Sequence, residues 1–331
     1  FHDGQIMALV VADSLEAASE AADRVTADYA RDPASGTIAS PGTETIAAVG
    51  ASKTYKEDPK AGDFDAGFAG APVKLEADYH TASEIHNPIE LFTTTAAWNG
   101  TQLTVWEASQ NVWGFKNGLA QQLQMSADDI RVISPFIGGA FGSRGSLTQR
   151  TALIALAARR LGRPVKLVAT REQGFTIATY RAETRHHLRL GATRAGRLTA
   201  LSHEGWEITS RPDAYSVAGT DASTRLYACP NVSSSVQVVH ADRNTPGYMR
   251  SPPETPYLFA LESAMDELAQ ALDMDPVQLR LLNDTQHEPI KGLPYTSRHL
   301  RECFEAGTEA FGWSRRTSAP RSMREGDWLI G

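Results

Sequence analysis

Ile137-Gly138-Gly139-Ala140-Phe141-Gly142-Ser143-Arg144-Gly145 is the stretch on which the reading of this chain turns, since five of its nine residues are glycine or alanine. So little side-chain volume leaves a backbone that another group can approach closely. Just before it, Ile130-Arg131-Val132-Ile133 has the β-branched character of a short strand. Just after it, Leu147, Leu153, Leu156 and Leu161 fall on or near one helical face that should stop at Gly162, with Pro164 beyond. Strand, glycine turn and helix start make a place where free N–H groups and a positive dipole end can meet an anion. The glycine spacing is not a dinucleotide fingerprint, and no Gly-Lys-Ser/Thr closes it as a phosphate loop. Taken alone, the turn is equally compatible with glycines that only relieve steric crowding.

At 331 residues the chain has room for about two domains and a substantial core. A formal charge of −7 offers no basic field for a nucleic-acid backbone, so nucleic-acid binding is set aside. Cys229 and Cys303 lack CxxC or Cys/His spacing, which points to neither a disulfide framework nor a structural zinc site. Two cysteines this far apart are compatible with a reducing, cytoplasmic setting. No apolar run reaches the length of a membrane span, and Phe1-His2-Asp3-Gly4-Gln5 has no signal-peptide character.

Taken in order, Gln5 to Val11 reads as a strand and Leu15 to Tyr29 as a helix capped by Asp13 or Ser14. Residues 32–72 lack sustained periodicity and read as a connection running over the surface. Strands follow at Val73–His80, Glu90–Trp98 and Leu103–Glu107, the last two joined by the hairpin signal Asn99-Gly100. After Ser109-Gln110-Asn111 a helix places Val112, Phe115, Leu119 and Leu123 on one face, and Gly114 and Gly118 leave a groove for another backbone. Further strands are expected at Val165–Ala169, Arg185–Ala192, Leu198–Trp206 and Val232–His240. Helices close the chain: one from Thr255-Pro256, one capped by Asp275-Pro276-Val277-Gln278, and one from about Arg298 to Phe311. Asp327 to Gly331 reads as a strand beginning, and with a strand at each end the chain is expected to be a piece of a larger polypeptide. Mixed hairpins and helices define an α+β class.

Ser109-Gln110-Asn111, Gly138-Gly139-Ala140-Phe141-Gly142-Ser143, Met249-Arg250-Ser251-Pro252, Glu262 to Ala269, and Asp275-Pro276 with Arg280 and Asn283 occur in one order. That order resembles the molybdopterin-binding subunit of the xanthine dehydrogenase and aldehyde oxidase family of molybdenum hydroxylases, in its aldehyde-oxidoreductase-like branch. The resemblance implies three regions: residues 1–34 as the end of an α/β hammerhead domain, 35–72 as a linker, and 73–331 as the first part of the molybdopterin-binding domain. A C-terminal domain completes that site in the family. The resemblance further implies molybdenum held by the pterin dithiolene, with no protein metal ligand. The pterin is expected as a cytosine dinucleotide, with water as the oxygen source and electrons leaving to Fe-S and FAD partner subunits. Gln110 is expected on the oxo side of the metal; the N–H groups around Gly138, Gly139, Ala140, Phe141 and Gly142 on the cofactor; and Arg250 beside both cofactor and substrate as the catalytic cation. Location is cytoplasmic, or periplasmic through a partner's signal.

Two departures matter. The family's glycine triplet is Gly138-Gly139-Ala140 here, and Ser143, Arg144 and Gly145 stand where xanthine-oxidising members carry a lysine and a substrate-binding glutamate. This favours an aldehyde, or an N-heterocycle other than a purine. The family's Gly-x-Gly-Glu segment, which supplies the general base, does not occur in these 331 residues, so the isolated chain is expected to be inactive. The competing reading is a cofactor-free scaffold or subunit-interaction module. Glu262, Asp266 and Glu267 read as structural; Glu84, His86 and Glu90 lack metal-ligand spacing; and His186 and His187, adjacent in a strand, point to opposite faces.

Overall fold

The computed structural model describes residues 2–53, 55–217, 219–319 and 321–330. Helix α1 (Leu15–Asp23), capped by the Ser14 hydroxyl, is followed by β1 (Glu44–Ala47), α2 (Phe64–Ala69) and β2 (Val73–Thr81). A hairpin of β3 (Thr93–Asn99) and β4 (Gln102–Glu107) leads to α3 (Val112–Leu123), β5 (Ile130–Ile133), α4 (Gln149–Leu161), β6 (Val165–Val168) and α5 (Arg171–Ile177). The long strands β7 (Thr184–Ala192) and β8 (Leu198–Ser210), then α6 (Thr220–Thr224) and β9 (Val232–Ala241), precede α7 (Glu254–Ala271) and α8 (Pro276–Leu282). Helix α9 (Leu300–Phe311) and the two-residue strands β10 (Arg324–Glu325) and β11 (Trp328–Leu329) follow.

Two mixed sheets organise these elements. The five-stranded sheet has the order β1-β9-β8-β7-β2, antiparallel except for the parallel pair β8 and β9. Helix α7 lays Tyr257, Ala260, Leu261, Ala264, Met265 and Leu268 against this sheet, all with no exposed surface. Burial of each large apolar side chain there contributes about 1.5–3 kcal/mol. The four-stranded sheet has the order β5-β4-β3-β6 and packs on α4 and α3 through Leu103, Val105, Leu119, Ile130 and Ile154. Its Trp98 Nε1 donates to the Ala155 carbonyl at 2.8 Å, tying the hairpin to α4.

The α+β class holds, while several local expectations are corrected. Gln5 to Val11 pairs with no strand among the described residues; Leu9 instead packs beside α4. The first helix ends at Asp23 rather than Tyr29, leaving Val25 and Tyr29 exposed. Residues 35–72 are not a plain surface run: β1 completes the five-stranded sheet, α2 lies against β8, and Ala48, Tyr55 and Phe64 are buried. The groove expected at Gly114 and Gly118 is already filled: Gly114 makes room for the Asn111 cap and Gly118 for Leu147. At the far end the expected strand shrinks to the β10–β11 hairpin, and Gly331 lies outside the described residues.

Candidate cofactor-binding site

The parallel pairing of β4 with β5 delivers two chain segments to one edge of the four-stranded sheet. The segment after β4 carries Gln110, whose backbone N–H donates to the Arg144 carbonyl at 2.9 Å. Asn111 then caps α3 by accepting from the Gly114 N–H at 2.9 Å. The segment after β5 becomes the glycine turn. Its Gly142 N–H donates to Gln110 Oε1 at 3.1 Å, so the two motifs meet directly. Gly142 has φ +116°, and an added Cβ would overlap the Tyr248 carbonyl, which explains why only glycine fits there. Gly139 has φ +99° and Phe141 φ +55°; the latter is a left-handed conformation that a bulky residue adopts only when its surroundings hold it.

The loop bearing Arg250 closes the other side. Its N–H donates to the Phe141 carbonyl at 2.8 Å, while its side chain is exposed. Gln110, Gly138, Gly139, Ala140, Phe141, Gly142 and Arg250, drawn from three separate stretches of sequence, therefore lie together. Gly138 donates to Glu90 Oε2 at 2.7 Å. The Ala140 carbonyl accepts from both the N–H and the hydroxyl of Ser143, at 3.0 and 2.8 Å. Among the described residues, the N–H groups of Gly139, Ala140 and Phe141 have no acceptor in the protein. Exposed Ile89, Phe136, Ile137, Phe141 and Tyr248 give this polar centre an apolar rim.

Sequence reasoning missed what holds these loops. Arg144, placed by the sequence in the position of family substrate residues, faces inward and is 2% exposed. Its guanidinium donates to the carbonyls of Gly139 at 3.1 Å, Glu90 at 2.9 Å and Leu91 at 3.3 Å, and lies 4.8 Å from the Phe92 ring centroid. Burial, against the nearby Glu90 carboxylate, lowers its pKa from the usual arginine value. Glu84, His86 and Glu90 form no metal site: Glu84 pairs with Arg181, the His86 ring bonds the Tyr248 carbonyl at 2.7 Å, and Glu90 holds Gly138. Burial holds His86 below the ordinary histidine range. No group of three or more His, Cys, Asp or Glu is placed to bind a metal among the described residues. A charged residue inside a glycine turn was the available signal for Arg144; Arg181, 69 residues from Arg250, gave none.

Unpartnered N–H donors in a row, a side-chain amide and an exposed guanidinium define a cradle for an oxygen-rich, negatively charged ligand at a sheet edge. This donor set fits a phosphorylated, oxo-bearing cofactor bound without protein metal ligands. The family model for the molybdopterin cofactor-binding domain matches residues 47–284, and the chain belongs to that family. It is 38% identical over 331 residues to the aldehyde oxidoreductase molybdenum-binding subunit PaoC of Escherichia coli, covering all of this chain and 44% of that protein. It is 28% identical to the putative xanthine dehydrogenase molybdenum-binding subunit XdhA of Escherichia coli, covering 95% of this chain and 43% of that one. The aldehyde oxidoreductase structure from Desulfovibrio gigas superposes with a TM-score of 0.78 at 24% identity, over 94% of this chain and 36% of that chain, which establishes the shared fold. The chain thus spans less than half the length of these two subunits.

Proposed function

We propose that this chain is the part of a molybdenum hydroxylase that faces the molybdopterin, in an enzyme oxidising aldehydes or a related N-heterocycle. The observation that carries this reading is the row of free N–H groups at Gly139, Ala140 and Phe141, set between Gln110 and Arg250. When bound, the molybdenum–pterin group supplies two-electron oxidation of a carbon centre, with oxygen taken from water. Gln110 and the Gly138–Gly142 backbone hold the oxygen-bearing face of the cofactor. Arg250 orients the substrate carbonyl and stabilises negative charge that develops on it. The cofactor is the cytosine dinucleotide form, and Fe-S and FAD partner subunits accept the electrons. The general base comes from outside these 331 residues, since no Gly-x-Gly-Glu occurs in them, and the isolated chain does not turn over. No helix among the described residues is long and apolar enough to cross a membrane, and the enzyme is proposed to work in the cytoplasm.

Molybdenum analysis by mass spectrometry, with pterin extraction and fluorescence, tests the reading on the whole protein that contains this chain. Near-stoichiometric metal is expected, falling at least about tenfold in Gln110→Ala. Metal-free, pterin-free protein that still binds partner subunits would instead support the scaffold reading.

A further inference from the structure

The loop that carries Arg250 is held from behind by one buried side chain. Arg181 is 6% exposed, and its guanidinium Nη2 donates to the Arg250 carbonyl at 2.6 Å. Its Nη1 donates to the Ser251 carbonyl at 2.9 Å and the Pro252 carbonyl at 3.2 Å. Three consecutive carbonyls pointing at one planar cation require a local reversal of the backbone, and Ser251 supplies it with φ +54°. The third nitrogen, Nε, donates to Glu84 Oε2 at 2.8 Å, and a two-way backbone bridge between Arg181 and Glu84 fixes where the guanidinium stands. His86, two residues along, secures the same loop at the Tyr248 carbonyl. With its carbonyls turned inward, the loop presents the Arg250 side chain outward and its N–H to Phe141.

We infer that Arg181 is a positioning residue: it clamps the carbonyls of residues 250–252 so that the Arg250 guanidinium stands ready at the substrate side, without itself touching substrate or cofactor. This rests on the proposed role of Arg250. Arginine is suited to the task because its flat fork satisfies several fixed acceptors at once, which an ammonium group cannot. A displacement of about 1 Å in a group that orients substrate costs up to about a hundredfold in rate.

The test uses the complete enzyme with its partner chains, benzaldehyde as substrate and ferricyanide as electron acceptor, in Arg181→Ala, Arg181→Lys and Arg250→Ala. Arg181→Ala should keep its molybdenum, lose kcat by at least about tenfold with KM within about threefold, and recover part of the loss in sub-denaturing guanidinium. Arg181→Lys should fall between it and the parent. Amide hydrogen exchange should rise in a peptide covering residues 248–252 and not across the sheets. A normal kcat in Arg181→Ala beside a slow Arg250→Ala overturns the inference alone. A normal kcat in Arg250→Ala overturns the role given to Arg250, and this inference with it. Unchanged exchange at residues 248–252, or loss of metal with loosening throughout the domain in both Arg181 variants, also overturns it. The exchange arm reads the clamp even where the parent oxidises no benzaldehyde.

Discussion

Arg144 and Arg150 both lie over the ring of Phe92, their guanidinium carbons 4.8 and 5.2 Å from its centroid, yet they serve opposite ends. Arg150 binds side chains: it pairs with Glu107 and donates to the Thr94 hydroxyl at 3.0 Å, while Glu107 also accepts from Thr94 and Thr151 at 2.6 and 2.8 Å. That cluster satisfies most of its buried charge internally and stiffens the four-stranded sheet. Arg144 binds only acceptors of the glycine turn and its neighbours, so the opposite, donor face of that backbone stays open. One cation closes a core and the other props open a cradle. Both arginines have a carboxylate partner, Glu107 for Arg150 and Glu90, at 3.3 Å, for Arg144; what separates them is that Arg144 also grips three backbone carbonyls, whereas the other partners of Arg150 are side chains.

The sharpest break is on the closed side. Arg150→Met leaves Glu107 buried without its counter-ion and should cost about 3–5 kcal/mol of stability, read as a shift in denaturant midpoint. Gly142→Ala attacks the open side. The left-handed backbone alone costs about 1–2 kcal/mol, and the Cβ must push against the Tyr248 carbonyl. Molybdenum content should fall at least about tenfold while far-ultraviolet circular dichroism is preserved. A Gly142→Ala protein with full metal content would mean that the turn does not hold the cofactor.

A smaller effect comes from a second closed region, in the five-stranded sheet. There Thr184, His186, His203 and Ser223 form a buried chain of hydrogen bonds at 2.7, 3.0 and 2.8 Å. Burial, reinforced by His80, pulls His186 down to about 3, and burial beside His186 sets His203 well below its ordinary value. Below pH 6.5 the unfolded chain takes up protons that these folded histidines refuse, so stability falls as pH drops. Each histidine removes about 1.4 kcal/mol per pH unit. Glu207 works the other way, because burial raises its pKa and the folded state holds its proton more tightly above pH 4.5; it offsets at most one histidine. Unfolding in urea at pH 7.5, 6.5, 5.5 and 4.5 should show a net loss that steepens below 6.5 towards about 1.4–2.8 kcal/mol per unit. A flat profile would mean that the histidine chain is charged in the folded protein.

The open region was legible in sequence because its chemistry is written in the backbone: Gly139 and Gly142 adopt positive φ, and Asn111 caps α3 in plain alphabetic form. The strand pattern of β2, with its strict alternation of half-buried and exposed residues, was equally plain. Residues 35–72 misled because β1 is only four residues long and its sequence, Glu-Thr-Ile-Ala, gains its identity from β9 rather than from its own periodicity. Arg181 was invisible for a related reason. A guanidinium that grips carbonyls is specified by the geometry of a distant loop, and carbonyls leave no mark in a sequence.

The pairing of β1 with β9 has a consequence for the order in which the molecule is made. Glu44 faces His240 across that ladder, a separation of almost two hundred residues. At about 5–20 residues per second, a growing chain carries β1 for some 10–40 s before its partner strand emerges. Until β9 emerges, then, the edge strand of the larger sheet waits unpaired, and the sheet can close only once Gln110 and the glycine turn have been translated, with Arg250 still to come.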